Sequence, residues 1–391
     1  MSEFKLNFQD TETAFADKSD KELKEKYRLF QMMNSPLLNR VGTWAAQTAV
    51  ALHLPVKGLI KRTLYKQFCG GETIEQCQPT IERLARSNIG TILDYSVEGK
   101  DDAAEFEHTK NEIHRTITRA GSDENIPFAV FKVTGLAAHH VLAKVSAKKE
   151  LLKDEAAEWE AARRRVEELC RYAHSLDQPT FIDAEESWIQ DAIDQLADEM
   201  MERFNREKPI IFNTIQLYRT DRLEFLKKSH RRAKEKGYVL AVKLVRGAYL
   251  EKERERAAEM NYPSPIHPDK ASTDRAFNEA VAYCLENVEE IAFVAATHNE
   301  NSTQLLVRQM EEKGIPHDHP HVFFSQLYGM SDNLSYVLAK NSYHVSKYVP
   351  YGPVKEAVPY LIRRAEENSS VMGQMSRELE LIKREIRRRK I

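Results

Sequence analysis

Cysteine is scarce in this chain of 391 residues: Cys69, Cys77, Cys170 and Cys284 are scattered, with no Cys-x-x-Cys pair. That pattern argues against a zinc site or a disulfide framework and for a reducing compartment. Long apolar runs are missing too. The best, Trp44 to Leu54, contains Gln47 and His53 and is too short to span a bilayer. Neither sign of charge dominates: 58 Lys and Arg face 60 Asp and Glu, a net charge of −2, so no basic field points to nucleic acid. The N-terminal stretch MSEFKLNFQDTETAFADKSDKE is acidic and polar, unlike a signal peptide or an Arg-rich transit peptide. A soluble, cytoplasmic protein is expected. GxSxG, the phosphate-binding P-loop and the GxGxxG dinucleotide fingerprint are all absent, and no Cys sits at a strand end to act as nucleophile.

What is present is an alternation. With 42% hydrophobic residues the chain can bury a large core. Residues 1 to about 85 read as helical, punctuated by Pro36, Pro55 and the Gly70-Gly71 pair. Beyond them, β-branched or aromatic runs predict strands at 92–98, 128–136, 179–185, 210–218, 239–247, 291–298, 322–329 and 343–350, each followed by a helix-like stretch. Such alternation implies right-handed βαβ units and a parallel sheet. Eight units predict a (β/α)8 TIM-type barrel with a helical N-terminal extension; an open doubly wound sheet is the alternative that counting leaves. The expected organisation is a helical extension over 1–85, the barrel over 86–375 and a basic C-terminal helix over 376–391.

A barrel carries its chemistry at the C-terminal ends of its strands. Lys132, Asp183, Gln216, Lys243, His298, Gln326 and Tyr348 fall in seven successive strand candidates, most of them late in the run, with Arg246 also in the fifth. One polar group inside an apolar strand is usually a satisfied core residue; seven at similar heights form a ring. Further cations follow in YVPYGPVKEAVPYLIRRAEEN (348–368), where Val354 to Asn368 predicts a helix with Pro353 ahead of it. There Tyr360, Arg363, Arg364 and Glu367 share one face, and Val358, Leu361, Ile362 and Ala365 take the core side. Two adjacent arginines suit a planar carboxylate or phosphate better than a merely solvated face. A Schiff-base lysine at Lys132 or Lys243, as in aldolase-type barrels, stays open, as does a non-catalytic binding scaffold. His317, Asp318, His319 and His321 look like a metal cluster but precede strand seven, at the opposite end, and read as an exposed loop with no metal. His139 and His140 read as helix-start residues.

Several segments together resemble the proline dehydrogenase family: FIDAEE (181–186), KLVRGAYLEKER (243–254), ATHNE (296–300), QLYGM (326–330) and YVPYGP…YLIRRAEENSS (348–370). The resemblance is to the mitochondrial-type, single-activity branch and covers about residues 90 to 375. It implies an FAD-dependent (β/α)8 barrel that oxidises L-proline to Δ1-pyrroline-5-carboxylate and passes electrons to a membrane quinone. By the family pattern Arg363, Arg364 and Lys132 clamp the substrate carboxylate, with Asp183 beside Lys132. Tyr348 packs on the proline ring, where hydroxyproline-specific relatives carry a smaller residue. Lys243 lies near the reacting flavin nitrogen, supported by Val245, Arg246 and Gly247. Gln216 meets the flavin edge, Thr297 and His298 contact the cofactor, and Glu367 a hydroxyl of its adenosine part. Two departures stand out. Many bacterial members read RLVKGAY, so the cation near the flavin is Lys243 and the arginine moves to 246. Lys270 and Thr273 fit a K-x-x-T pattern, but Phe277 stands where tyrosine is common. The tail SRELELIKREIRRRKI (376–391) carries Lys383, Arg384, Arg387, Arg388, Arg389 and Lys390 beside Leu379, Ile382 and Ile386. It reads as a solvated helix end or a peripheral contact with an anionic membrane.

Overall fold

A computed structural model describes residues 6–33, 58, 61–95, 102–358, 360–361 and 374–391. The chain opens with helices α1 (Thr11–Ala14), α2 (Asp20–Met33) and α3 (Gln78–Ala85), then β1 (Ile89–Tyr95). Alternation follows through α4 (Ala103–Gly121), β2 (Ala129–Lys132), α5 (His139–Ser146), α6 (Lys153–Ser175), β3 (Thr180–Asp183), α7 (Ser187–Phe204), β4 (Ile211–Gln216) and α8 (Arg222–Lys236). It continues with β5 (Leu240–Val245), α9 (Leu250–Glu259), α10 (Lys270–Glu286), β6 (Ile291–Ala296), α11 (Glu300–Lys313), β7 (Val322–Leu327), α12 (Asp332–Lys340), β8 (Val345–Tyr351) and α13 (Gln374–Arg389). The strands form one sheet in the order β1-β8-β7-β6-β5-β4-β3-β2. The fold is a (β/α)8 barrel, as the alternation predicts.

The strands are apolar because each is covered on both faces: all residues of β3 and β4 are buried. The helices begin and end at recognisable signals. Asp102 accepts the Ala104 and Glu105 amides at the start of α4, Asp269 the Ser272 amide of α10, and Asn299 the Ser302 amide of α11. Gly237 and Gly314, at φ 68° and 66°, close α8 and α11 in the left-handed region. Strand ends are shorter than the sequence runs suggest. Strand β2 stops at Lys132 because Val133–Gly135 turns into a 3-10 helix, and β6 stops at Ala296, leaving His298 in the following loop.

The residues group into two compact units, Glu98–Ser325 and Met1–Val97 with Gln326–Ile391. Within Glu98–Ser325, β2 through β7 pair in sequence and in parallel. Phe128, Phe181, Phe212 and Phe323 interlock there, with ring centroids 4.5 to 5.5 Å apart. Such stacked and edge-on aromatic contacts fill volume with fixed geometry.

In the other unit β1 pairs with β8 in parallel. Phe15, Leu23, Phe30, Phe68, Leu361, Leu379 and Ile382 belong to its core. The apolar side of α13 is therefore used inside the unit, with Ile386 packed against the same cluster. Tyr360 is also buried in this core. A ring of its size is worth more covered than wetted. A buried ion network lies in the same unit. Asp332 binds Lys26 Nζ at 2.7 Å and Lys347 Nζ at 3.0 Å, and Glu378 binds Lys26 at 3.1 Å.

Candidate active site

Within Glu98–Ser325 the strand ends carry the charged groups. Lys132 and Asp183, the last residues of β2 and β3, are register partners. On the next pair Thr214 is the partner of Lys243, and two residues on Gln216 is the partner of Val245. Side chains alternate along a strand, so Lys243 and Val245 share a face, as do Thr214 and Gln216. The row is polar, and beneath it lies the phenylalanine layer: Phe181 precedes Asp183 by two residues, and its ring lies 4.9 Å from Lys243 Nζ.

Lys243 and Asp183 form a buried ion pair. Lys243 is only 5% exposed, so its charge would be costly without the carboxylate, and the aromatic face below adds to its stabilisation. Gln216 is buried and donates its Nε2 to the Glu185 carbonyl at 2.6 Å, which fixes the direction of its amide. Lys132 and Val245 are half-buried.

Arg246 follows β5 and spreads its guanidinium over three partners. Nε donates to Asp274 at 2.7 Å, Nη1 to Thr297 Oγ1 at 2.6 Å and Nη2 to Ser302 Oγ at 2.8 Å. The ring of Phe277 faces it at 4.4 Å. Burial pulls this guanidinium below its ordinary range against the pull of Asp274. Burial also opposes ionisation of Asp274, but hydrogen bonds from Lys270 and Arg246 win and hold its carboxyl low. Thr297 is buried and its Oγ1 also accepts the Asn299 amide at 3.0 Å; His298 beside it is half-buried. Gly247 has φ +136°, and a Cβ there would meet the Tyr218 ring at 2.5 Å. Only glycine keeps bare backbone at that point. Just beyond, Glu253 of α9 is fully buried and accepts both the Ser187 amide and hydroxyl at 2.6 Å.

One group escaped the sequence reading. Glu185, two residues past Asp183, is 4% exposed. Its carboxylate accepts the Thr134 amide at 3.0 Å and the Thr134 hydroxyl. Burial pushes it up to about 7, against the lowering effect of those hydrogen bonds. The only signal in the sequence is the acidic run Asp183, Glu185, Glu186 at a strand end.

In the other unit Tyr348 of β8 is half-buried, is the register partner of Ile92, and accepts the Tyr328 amide at 2.8 Å on its carbonyl. Gln326 accepts from the Ser335 hydroxyl at 2.7 Å. Arg363, Arg364 and Glu367 lie outside the described residues. Among the described residues no three His, Cys, Asp or Glu side chains gather as a metal-binding group. His317 pairs with Glu311, His319 with Glu289 at 3.7 Å, and His321 Nδ1 with the Val288 carbonyl at 2.7 Å. His139 begins α5, as expected.

Comparison with known proteins follows the same line. Residues 77–377 match the family model described as Proline dehydrogenase. The chain is 36% identical over 322 residues to the carbapenem antibiotics biosynthesis protein CarD of Pectobacterium carotovorum, covering 82% of this chain and 83% of that one. It is 32% identical over 398 residues to proline dehydrogenase 1, mitochondrial, of Arabidopsis thaliana, covering 90% and 80%. Among solved structures, proline utilization A from Bdellovibrio bacteriovorus superposes with a TM-score of 0.70 at 20% identity over 92% of this chain. This chain spans 38% of that protein's length, and the likeness speaks to the fold alone.

Proposed function

The chain belongs to the proline dehydrogenase family, and on that footing we propose that it oxidises L-proline to Δ1-pyrroline-5-carboxylate, the first step of proline degradation to glutamate. The observation that carries this reading is the buried Lys243–Asp183 pair, set at the strand ends in a polar row with Lys132 over an aromatic floor. It gives a fixed positive charge where a reaction that moves electron density needs one.

FAD is the proposed cofactor. Gln216, Lys243, Val245, Arg246, Gly247, Thr297 and His298 would hold it, with Glu367 at its adenosine end. These residues fit such a group: Gly247 offers backbone without a side chain, and Arg246 is pinned by three partners, so the loop after β5 is a preformed polar edge. A bound flavin supplies the two-electron acceptor that no side chain can provide. Arg363, Arg364 and Lys132 bind the proline carboxylate and so orient the ring. Tyr348 is the proposed wall for the ring, and an aromatic of its bulk there would crowd a 4-hydroxyl. The amine must be neutral before hydride can leave, so the rate rises with pH through its pKa.

A Schiff-base role for Lys243 is disfavoured. Such lysines are activated by apolar surroundings or a second cation, whereas this one is engaged by a carboxylate. The test is the visible spectrum of the purified protein, before and after L-proline without oxygen. A flavin band that bleaches with proline is expected. A protein that stays colourless and inert after FAD is added would sink the reading, and bleaching by hydroxyproline alone would overturn the role of Tyr348. Arg364→Ala should raise KM for proline strongly with flavin retained; an unchanged KM would remove it from the clamp.

The electron acceptor is proposed to be a membrane quinone, reached from the cytoplasmic side by peripheral contact. No described helix is long and apolar enough to cross a membrane. Because Leu379 and Ile382 are spent in the core, contact through α13 would rest on exposed cations such as Arg384, Arg387 and Lys390, and would fade with salt. Reversing these three charges should abolish sedimentation with anionic vesicles; equal sedimentation would refute the contact.

A further inference from the structure

Glu185 is a buried ionisable group that the proposed reaction does not use, yet every polar part of it is engaged. Its amide donates to Gln190 Oε1 at 2.8 Å and its carbonyl accepts from Gln216 Nε2 at 2.6 Å. Its carboxylate takes both the amide and the hydroxyl of Thr134. Gln190 is itself held: its Nε2 donates to Asp194 at 3.0 Å, and Asp194 also accepts from Asn213 at 3.0 Å and from Arg222. A buried polar chain thus runs from the start of α8 to the end of β3 and stops at the turn after β2.

That turn follows Lys132 directly. Strand β2 ends at Lys132, and Val133–Gly135 is a single 3-10 turn with Thr134 at its centre. One such turn has few hydrogen bonds of its own to hold it. Two bonds from Thr134 to a fixed carboxylate on the neighbouring strand end supply what the turn lacks. The charged groups facing Glu185 are Lys132 on β2 and Glu186 on its own loop, and Lys252 of α9 pairs with Glu186 at 3.0 Å.

We propose that Glu185 is a positioning residue for substrate: by holding Thr134 it fixes the backbone that aims Lys132 at the carboxylate of proline. The proposal rests on the proline reading above. It requires the hydrogen-bonding shape of Glu185 rather than its charge, since burial keeps this carboxyl partly protonated near neutral pH. Glutamine has the same shape, accepting from the Thr134 amide and donating to its hydroxyl.

The test is steady-state kinetics with L-proline on the flavin-loaded enzyme. Glu185→Ala should raise KM by about tenfold, the size expected when one or two buried hydrogen bonds are lost, with kcat within about twofold. Glu185→Gln should restore KM. Thr134→Val should raise KM in the same way and Thr134→Ser should not, which gives a second route if the alanine variant does not fold. In a Lys132→Ala background, Glu185→Ala should add less than about twofold, because both changes remove one function. Effects that multiply in that cycle, or a fall in kcat with KM unchanged, would overturn the proposal. A wild type that does not turn over proline overturns the functional reading and this inference with it. A wild type that turns over while Glu185→Ala keeps its KM overturns the inference alone.

Discussion

Glu185 also makes a stability prediction that needs no substrate. Its carboxyl moves from an ordinary 4.5 up to about 7 in the folded protein, with burial as the main cause. The folded chain therefore holds this proton more tightly than the unfolded chain does. The contribution is fully present below about pH 4.5 and is lost as pH rises through 7. One pKa unit is worth about 1.4 kcal/mol, so the full swing is about 3 kcal/mol, most of it between pH 5 and pH 8. Glu185→Gln keeps the shape and cannot titrate. The variant should therefore gain about 2–3 kcal/mol on wild type as pH goes from 5 to 8, other charges being common to both. Urea unfolding at several pH values and fixed ionic strength, followed by fluorescence, reads the difference from the midpoints. A gap that stays constant to within about 1 kcal/mol would show that the carboxylate is not penalised by its site. A gap that closes as pH rises would reverse the sign of the argument.

Two further perturbations test the frame around the site. Asp332→Asn leaves Lys26 and Lys347 buried with less counter-charge and should cost about 3–5 kcal/mol near neutral pH. Burial opposes ionisation of Asp332, but the two lysines hold its carboxyl well below its usual range. Its contribution is therefore lost as pH falls below about 4, and the deficit of the variant should shrink in acid; a deficit under about 1 kcal/mol at pH 7 would mean the network is not desolvated. Gly247→Ala forces a side chain into the left-handed region and against the Tyr218 ring; a loss of about 2–4 kcal/mol is expected in thermal unfolding. A wild-type Tm in that variant would show that the loop relaxes freely.

Much of the fold was legible because strands covered on both faces read as short apolar runs, so a lysine or aspartate at their ends stands out. Partners were less legible. Asp183 and Lys243 are 60 residues apart and meet because register sets them at one height; nothing local in either segment names the other. Glu185 was hidden for a different reason. Past the end of β3 the period of two no longer says which side chain points inward, and the sequence cannot rank Asp183, Glu185 and Glu186 by burial. Tyr360 is buried in the core of its unit, which helical spacing alone does not foretell; the arginines expected on its face lie outside the described residues. The amphipathic pattern of α13 was readable, but its apolar side was taken up by the core of its own unit, a choice that depends on α2 more than 340 residues earlier.

The two departures from the family pattern are linked by one contact. Arg246 stands where a lysine is frequent, and Phe277 where a tyrosine is; in the fold the ring of Phe277 faces the guanidinium at 4.4 Å. A guanidinium can serve Asp274, Thr297 and Ser302 at once while its flat face rests on an aromatic ring. A lysine ammonium is a point charge that could neither reach all three nor stack. A phenol would bring a hydroxyl needing a partner into a spot where Phe277 is fully buried. Arginine at 246 and phenylalanine at 277 thus favour each other. The exchange also leaves position 243 to a lysine, whose compact ammonium fits the narrow space between Asp183 and Phe181. Set against the RLVKGAY pattern of the family resemblance, KLVRGAY keeps a cation at both 243 and 246 and exchanges their identities, so the departures at 246 and 277 belong to one arrangement rather than two.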